Sequence, residues 1–322
     1  MRAAVVDRYG PPEVVQVREV PEPAPRGDQV LVRVRATPVT SGDARIRAAR
    51  FPPGFAPFAR AALGFRGPRR SVLGGVLSGV VEAVGDEVTG FAVGDEVCGM
   101  TGVRMGAHAE LAVAPAKKLA RKPPEVSHDD AAGVLFGATT ALHYLRDRMA
   151  VQPGDTVLVN GASGAIGTSA VPLAVHLGGR VTGVTSARNA ALVTQLGAER
   201  TIDHSAVDVT QIPDRFDVVL DAVGNLSLKE GRALLAPGGR LGLAVAGLGD
   251  TIRARGDASA GPSPERAEAL EELLGLIASG VLRVVIEQVF ELDEIVAAHR
   301  RVDTGHKVGN VLVRPSPTPP GT

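Results

Sequence analysis

A single cysteine, Cys98, stands in a chain of 322 residues. No disulfide can therefore form within the chain, and no multi-thiolate metal site can exist. Tryptophan is absent, and tyrosine occurs only as Tyr9 and Tyr144, which narrows the choice of proton donor in any acid–base chemistry. Charge of either sign in excess is lacking too: 35 basic and 35 acidic side chains balance, so nothing draws the whole molecule toward nucleic acid or an anionic membrane. No apolar run approaches the roughly 20 residues of a transmembrane helix, and "MRAAVVDRYG" has no signal-peptide core. A cytoplasmic protein is expected, with neither a nucleic-acid nor a membrane partner.

What remains is ordinary globular material, long enough for two domains. Residues 1–122 are rich in β-branched side chains and punctuated by glycine and proline. "QVLVRVRATPV" alternates apolar and polar positions as a half-buried strand does, and "VLSGVVEAVGDEVTGFAVGDEVCGM" holds short strands separated by turns at Gly85-Asp86 and Gly94-Asp95. This reads as a mainly β, barrel-like domain. Arg50 to Ser71 interrupts it with a proline- and glycine-rich segment, read as a long loop with one helical turn. Its arginines Arg60, Arg66, Arg69 and Arg70 form either a solvated surface or a site for an anion or partner.

From Ser127 the texture changes. Ser127 and the acids after it have the look of a helix start. Strands are expected at Thr156–Asn160 and Arg180–Thr185, and helices at Ile166–Leu177 and Asn189–Leu196, followed by further strands in "TIDH", "FDVVLDAVG" and "GRLGLAVAG". Such alternation implies βαβ units and a parallel, doubly wound sheet over residues 123–257. "LGDTIRARGDASAGPSPER", Leu248–Arg266, reads as a linker, a disordered loop or a mobile lid. Residues 258–322 return to the first domain and end in a disordered tail, "PSPTPPGT".

"VLVNGASGAIG", Val157–Gly167, sits where a buried strand hands over to a helix. Such a turn collects backbone N–H groups at a helix N-terminus and suits a diphosphate. Ala162, Gly164 and Gly167 occupy the three small positions of a dinucleotide fingerprint, so Ala162, Ser163, Gly164, Ala165 and Ile166 are candidate cofactor contacts. From Gly183 to Leu192 there is no carboxylate to hold a ribose 2′-hydroxyl, whereas Ser186, Arg188 and Asn189 offer donors suited to a 2′-phosphate. NADPH is the expected cofactor.

Together with "GAHAELAVAP", "GATTALHYL" and "FDVVLDAVGN", these residues make the chain similar, over essentially its whole length, to the medium-chain dehydrogenase/reductase superfamily in its zinc-free, quinone-oxidoreductase-like branch. The resemblance implies an α/β fold: a GroES-like β-barrel catalytic domain built from both chain ends, plus a Rossmann doubly wound parallel-sheet domain. It implies NADPH-dependent reduction of quinones, enones or enoyl groups, a small-molecule substrate and a homodimer. The dimer is expected through "GRLGLAVAG" as a long apolar edge strand. It places the nicotinamide against Val223, Gly224 and Asn225, and against Val245 and Ala246, with Thr139 nearby and His204 toward the adenosine. Zinc-dependent relatives carry ligands where this chain has Thr40, Gly75 and Val76, so no metal is expected.

Relatives often place a tyrosine shortly after the aspartate of "SGD"; here Asp43 is followed by Ala44 and Arg45. Asp43, His108 and His143 are the remaining catalytic candidates, each with a plainer reading: a cap for Asp43, packing for the histidines. Water is the expected proton source. Two other readings stay open: a pathway-specific tailoring enzyme (an enoyl reductase or a cyclase), and a non-catalytic NADPH-binding protein.

Overall fold

The computed structural model describes residues 1–316; the rest of the expected disordered tail, 317–322, lies outside the described residues. Strand β1 (Arg2–Val6) pairs antiparallel with β2 (Val15–Glu19). In β3 (Gln29–Pro38), the alternation buries Val30, Val32, Val34 and Ala36. Thr40 caps α1 (Ser41–Ala48): its hydroxyl accepts from the Asp43 amide at 3.1 Å, and the Asp43 carboxylate accepts from the Thr40 amide at 2.8 Å. Such a cap is worth about 1 kcal/mol. The Arg50–Ser71 segment is more ordered than a loop with one turn, because Ala56–Leu63 forms a helix, α2, with Pro57 in its first turn where the missing N–H costs nothing. Strands β4 (Val76–Val84), β5 (Glu96–Met100), β6 (Leu111–Pro115) and β7 (Leu119–Arg121) complete this part.

Helix α3 (His128–Leu142), capped by the Ser127 hydroxyl, leads into the alternating half. There follow β8 (Thr156–Asn160), α4 (Gly167–His176), β9 (Arg180–Thr185), α5 (Ala190–Gln195), β10 (Arg200–Asp203), β11 (Phe216–Asp221), α6 (Leu228–Ala233) and β12 (Leu235–Leu243). The Leu248–Arg266 segment is no linker. It folds into α7 (Leu248–Arg253) and β13 (Ala258–Ala260). The sheet order is β10-β9-β8-β11-β12-β13, every pair parallel. That is a doubly wound order whose switch point lies between β8 and β11. It extends to Ala260, beyond the boundary expected at residue 257. It also changes the edge: β12 is bonded on both sides, so the long apolar edge on which the dimer expectation rested is covered, and three-residue β13 takes its place.

Helix α8 (Ala267–Ala278) buries Leu270, Leu273 and Leu274 against α3. Then β14 (Ile286–Glu291), α9 (Ile295–Asp303) and β15 (Asn310–Arg314) carry the chain back: β15 pairs antiparallel with β3 and parallel with β14. The second sheet runs β14-β15-β3-β4-β5-β7, with β6 also on β3. Both chain ends thus build one domain and the middle builds the other. None of the described helices is long and apolar enough to cross a membrane.

Candidate functional site

The glycine turn between β8 and α4 shows why each small residue stands there. Gly161 has φ +83°, and a Cβ on it would lie 2.5 Å from Val223 Cγ2. A Cβ on Gly167 would meet the Gly161 carbonyl at 2.1 Å, so helix and strand could not close. Gly164 differs: a Cβ there would find nothing nearer than the Gly161 oxygen at 3.5 Å. Its open side is room for a ligand at the start of α4. Ser163 ties this turn to the end of β9, its hydroxyl oxygen accepting from Thr185 Oγ1 at 2.8 Å and Asn189 Nδ2 at 3.1 Å. Ser163–Ile166 and Ser186–Asn189 therefore form one surface, whereas Ala162, expected as a cofactor contact, is fully buried in the core beneath it because its methyl packs where helix and strand close.

Arg188 is exposed on that surface, with no ion-pair partner among the described residues. His204 is exposed beside it, its amide donating to the Thr185 carbonyl at 3.1 Å. The acid at this corner, Asp203, accepts from the hydroxyl of Ser205 at 2.6 Å and its amide at 3.0 Å, which holds its carboxyl below the usual range. One group was missed in the sequence. Lys307 donates to the Gly309 carbonyl at 2.5 Å, while the Gly309 amide donates to the Ser163 carbonyl at 2.8 Å. Burial brings the Lys307 ammonium down to about 8. No local pattern announces this residue, because the segment that carries it meets the turn, through Gly309, from the far end of the chain.

A cavity of about 390 Å³ lies between the domains. One wall is Val223, Gly224, Val245, Ala246 and Gly247, at the C-terminal ends of β11 and β12. Asp221 shapes this wall from behind. Its buried carboxylate accepts from the amides of Val223, Gly224 and Leu226 and from Asn160 Nδ2, which also donates to Asn225 Oδ1 at 2.7 Å. Burial raises the Asp221 pKa despite these donors. The other wall comes from α1 and the segment after it, including Ser41, Arg45, Arg50 and Phe51, with Val302, Asp303 and Gly305 from the far end of the chain. Asp303 is committed: Arg47, fully buried, holds both its oxygens at 2.6 and 2.5 Å, and Arg50 reaches it at 3.0 Å. Arg45 is half-buried with no ion-pair partner among the described residues, and burial alone pulls its guanidinium below the usual value.

None of the three catalytic candidates lines this cleft. Asp43 is turned inward, taking the Thr40 hydroxyl at 2.6 Å and the Gly74 amide at 3.2 Å. His108 is buried, with Nε2 against the Pro38 carbonyl at 3.1 Å and its ring edge-on to His299. His143 lies 3.5 Å from Asp147 and lines a separate cavity between α3 and α8. Thr139 lines that second cavity as well, its hydroxyl bonded to the Leu135 carbonyl, and is not among the residues that line the cleft.

At the positions of the zinc ligands, Thr40 is occupied in its cap, Gly75 has no neighbour within 4 Å of a would-be Cβ, and Val76 begins β4. Cys98 lies buried in β5, its thiol pushed up to about 12. Among the described residues no group of three or more histidine, cysteine, aspartate or glutamate side chains could hold a metal. The donor set here does not fit zinc.

A β domain made from both chain ends, facing a parallel dinucleotide-type sheet across a cleft, is the architecture of the medium-chain dehydrogenases/reductases. Residues 26–124 match the alcohol dehydrogenase GroES-like domain family, and residues 196–313 match the zinc-binding dehydrogenase family. The chain is 33% identical to a quinone oxidoreductase of Pseudomonas aeruginosa, over 95% of this chain and 97% of that one. It is 30% identical to a 2-haloacrylate reductase of a Burkholderia species, over 97% and 98%. Its fold superposes on the quinone oxidoreductase of Coxiella burnetii with a TM-score of 0.88, at 28% identity and with 98% and 99% of the two chains covered. The chain belongs to the quinone-oxidoreductase-like branch of the medium-chain dehydrogenase/reductase superfamily and is an oxidoreductase of that branch.

Proposed function

We propose that the protein reduces activated carbon–carbon double bonds, in quinones, enones or enoyl compounds, with NADPH and without zinc. The observation that carries this reading is the inter-domain cleft, where the ends of β11 and β12 face α1 beside an open glycine turn. Backbone amides at the start of α4 would hold the diphosphate, with Lys307 adding a cation behind Gly309. Ser186, Arg188 and Asn189 would take the 2′-phosphate, and Val223, Gly224, Val245 and Ala246 the nicotinamide face. The reduced nicotinamide, when bound, supplies hydride. The chain's own part is to orient the acceptor and exclude water, with Phe51, Val223 and Val245 as apolar walls. Asp303 is taken up by two arginines, so no lining acid is free to donate, and the proton comes from solvent.

Loss of NADPH absorbance with benzoquinone, an alkyl vinyl ketone and a crotonyl thioester tests the reading, alongside calorimetric titration of NADPH. Turnover of at least one acceptor is expected. Tight NADPH binding with no turnover of any acceptor would instead favour a non-catalytic binding protein.

A further inference from the structure

Two cations and one anion line the cleft, and the anion is not free. Asp303 neutralises Arg50 and the fully buried Arg47 together, so that cluster already carries one surplus positive charge. Arg45 adds a second, with no carboxylate beside it. Arg45 and Ser41 stand one turn apart on α1, so a guanidinium and a hydroxyl share the face that lines the cavity. Keeping a half-buried guanidinium unpaired costs free energy in the empty protein, and an anionic ligand would recover it. The nicotinamide would enter the same cavity of about 390 Å³, so an acceptor beside it lies within reach of the Arg45 and Ser41 wall.

We infer that Arg45, assisted by Ser41, is a specificity-determining residue that binds the carboxylate of an α,β-unsaturated acid substrate. This rests on the reductase reading above. In the reaction, hydride adds to the carbon β to the activating carbonyl, the α-carbon takes a proton from water, and NADPH becomes NADP⁺. The carboxylate on Arg45 is unchanged and serves to place the double bond.

Acetylacrylate and its methyl ester share one enone and differ in the charge. With the unmodified protein, kcat/KM for the acid should exceed that for the ester by about tenfold or more, the range of a charge-assisted contact. In Arg45→Met this ratio should fall to near one, with the loss carried by KM, and Arg45→Lys should restore part of it. Levulinate, the saturated product, gives a readout free of turnover: calorimetry should show saturable binding to the native protein and none to Arg45→Met. If levulinate binds in this Arg45-dependent way but neither acceptor is reduced, the anion site stands and the reductase reading falls. If acid and ester are reduced equally well, or Arg45→Met lowers kcat for both alike, or levulinate does not bind, the proposal is overturned.

Discussion

The two walls of the cleft are built of different material. The wall from the parallel sheet presents backbone and aliphatic side chains, Val223, Gly224, Val245, Ala246 and Gly247, and no ionisable group reaches its surface. Its polar component is hidden: Asp221 and Asn160 lie behind it and fix the loop through amide bonds. The opposite wall carries all the lining charge, on Arg45, Arg50 and Asp303. A surface of backbone and shape suits a constant partner, because nothing in it can vary without disturbing the sheet. Side chains on a short helix and loop can change while the fold persists, so that wall suits the variable partner. The proposed function assigns the cofactor to the first wall and the substrate to the second.

The charged wall breaks most heavily at its anchor. Asp303→Ala leaves Arg47 buried without a counter-ion, its Nε already lacking a partner. Loss of one member of a buried pair costs about 3 kcal/mol or more. A chemical-denaturation midpoint close to that of the unmodified protein would show that water, and not Asp303, balances Arg47. The sheet wall breaks at the turn beside it. Gly164→Val places its side chain in space that is empty in the free protein, so the fold should survive while NADPH affinity falls by more than about a hundredfold, roughly 3 kcal/mol. Thermal melting together with calorimetry separates the two effects, and retained affinity would mean the diphosphate does not approach Gly164.

The same contrast decided what could be read from the sequence. Strand, turn and helix over Thr156–His176 are local, and their apolar run, glycines and small-residue helix specify them without help from the rest of the chain. The glycine turn was legible for that reason. The charged wall joins residues 256 positions apart, Arg47 and Asp303. The significance of Arg45 appears only once Asp303 is seen to be spent on other arginines. Leu248–Arg266 misled for a related reason. Its glycines and serines look like a linker, but the Leu248 amide bonds the Pro53 carbonyl at 2.9 Å and Ala258–Ala260 adds a strand to β12. Tertiary pairing outweighed composition. Thr139, which the resemblance puts near the nicotinamide, lines the cavity between α3 and α8.

Two smaller changes sharpen the reading of the cofactor side. Arg188→Ala should weaken NADPH by about tenfold and leave NADH nearly unchanged, because its guanidinium is exposed and unpaired and only the 2′-phosphate would engage it. Equal losses for both cofactors would remove Arg188 from the phosphate site. Lys307 has an ammonium pKa lowered to about 8, with Glu287 and Arg301 as its charged neighbours. Raising the pH through that value discharges it and removes an attraction for the diphosphate. The dissociation constant of NADPH should therefore rise several-fold between pH 7 and pH 9, about 1 kcal/mol, and Lys307→Met should show no such rise. A parallel rise in the variant would assign the effect elsewhere.

The smallest effects are expected where catalytic side chains would ordinarily be sought. A general acid that touches the substrate contributes about 10²–10⁴-fold. Neither His108 nor His143 can make that contact: the first is sealed against Pro38 and His299, and the second faces a cavity on α3 and α8. Asp43 spends its carboxylate on Thr40 and Gly74. Of the two tyrosines, Tyr9 donates to the Gly64 carbonyl, and Tyr144 donates to the carbonyls of Leu243 and Gly261 with its own pKa pushed up to about 12. The carbanionic carbon left by hydride addition is basic enough to take its proton from water, so the fold need not supply one. His143→Ala, His108→Ala and Asp43→Asn should each lower kcat by less than about tenfold, below the range of a lost general acid. Melting temperatures should be recorded beside the rates, since His108 and Asp43 are buried. A thousandfold loss in any of the three, with fold and NADPH affinity intact, would identify the acid and end the solvent-proton account.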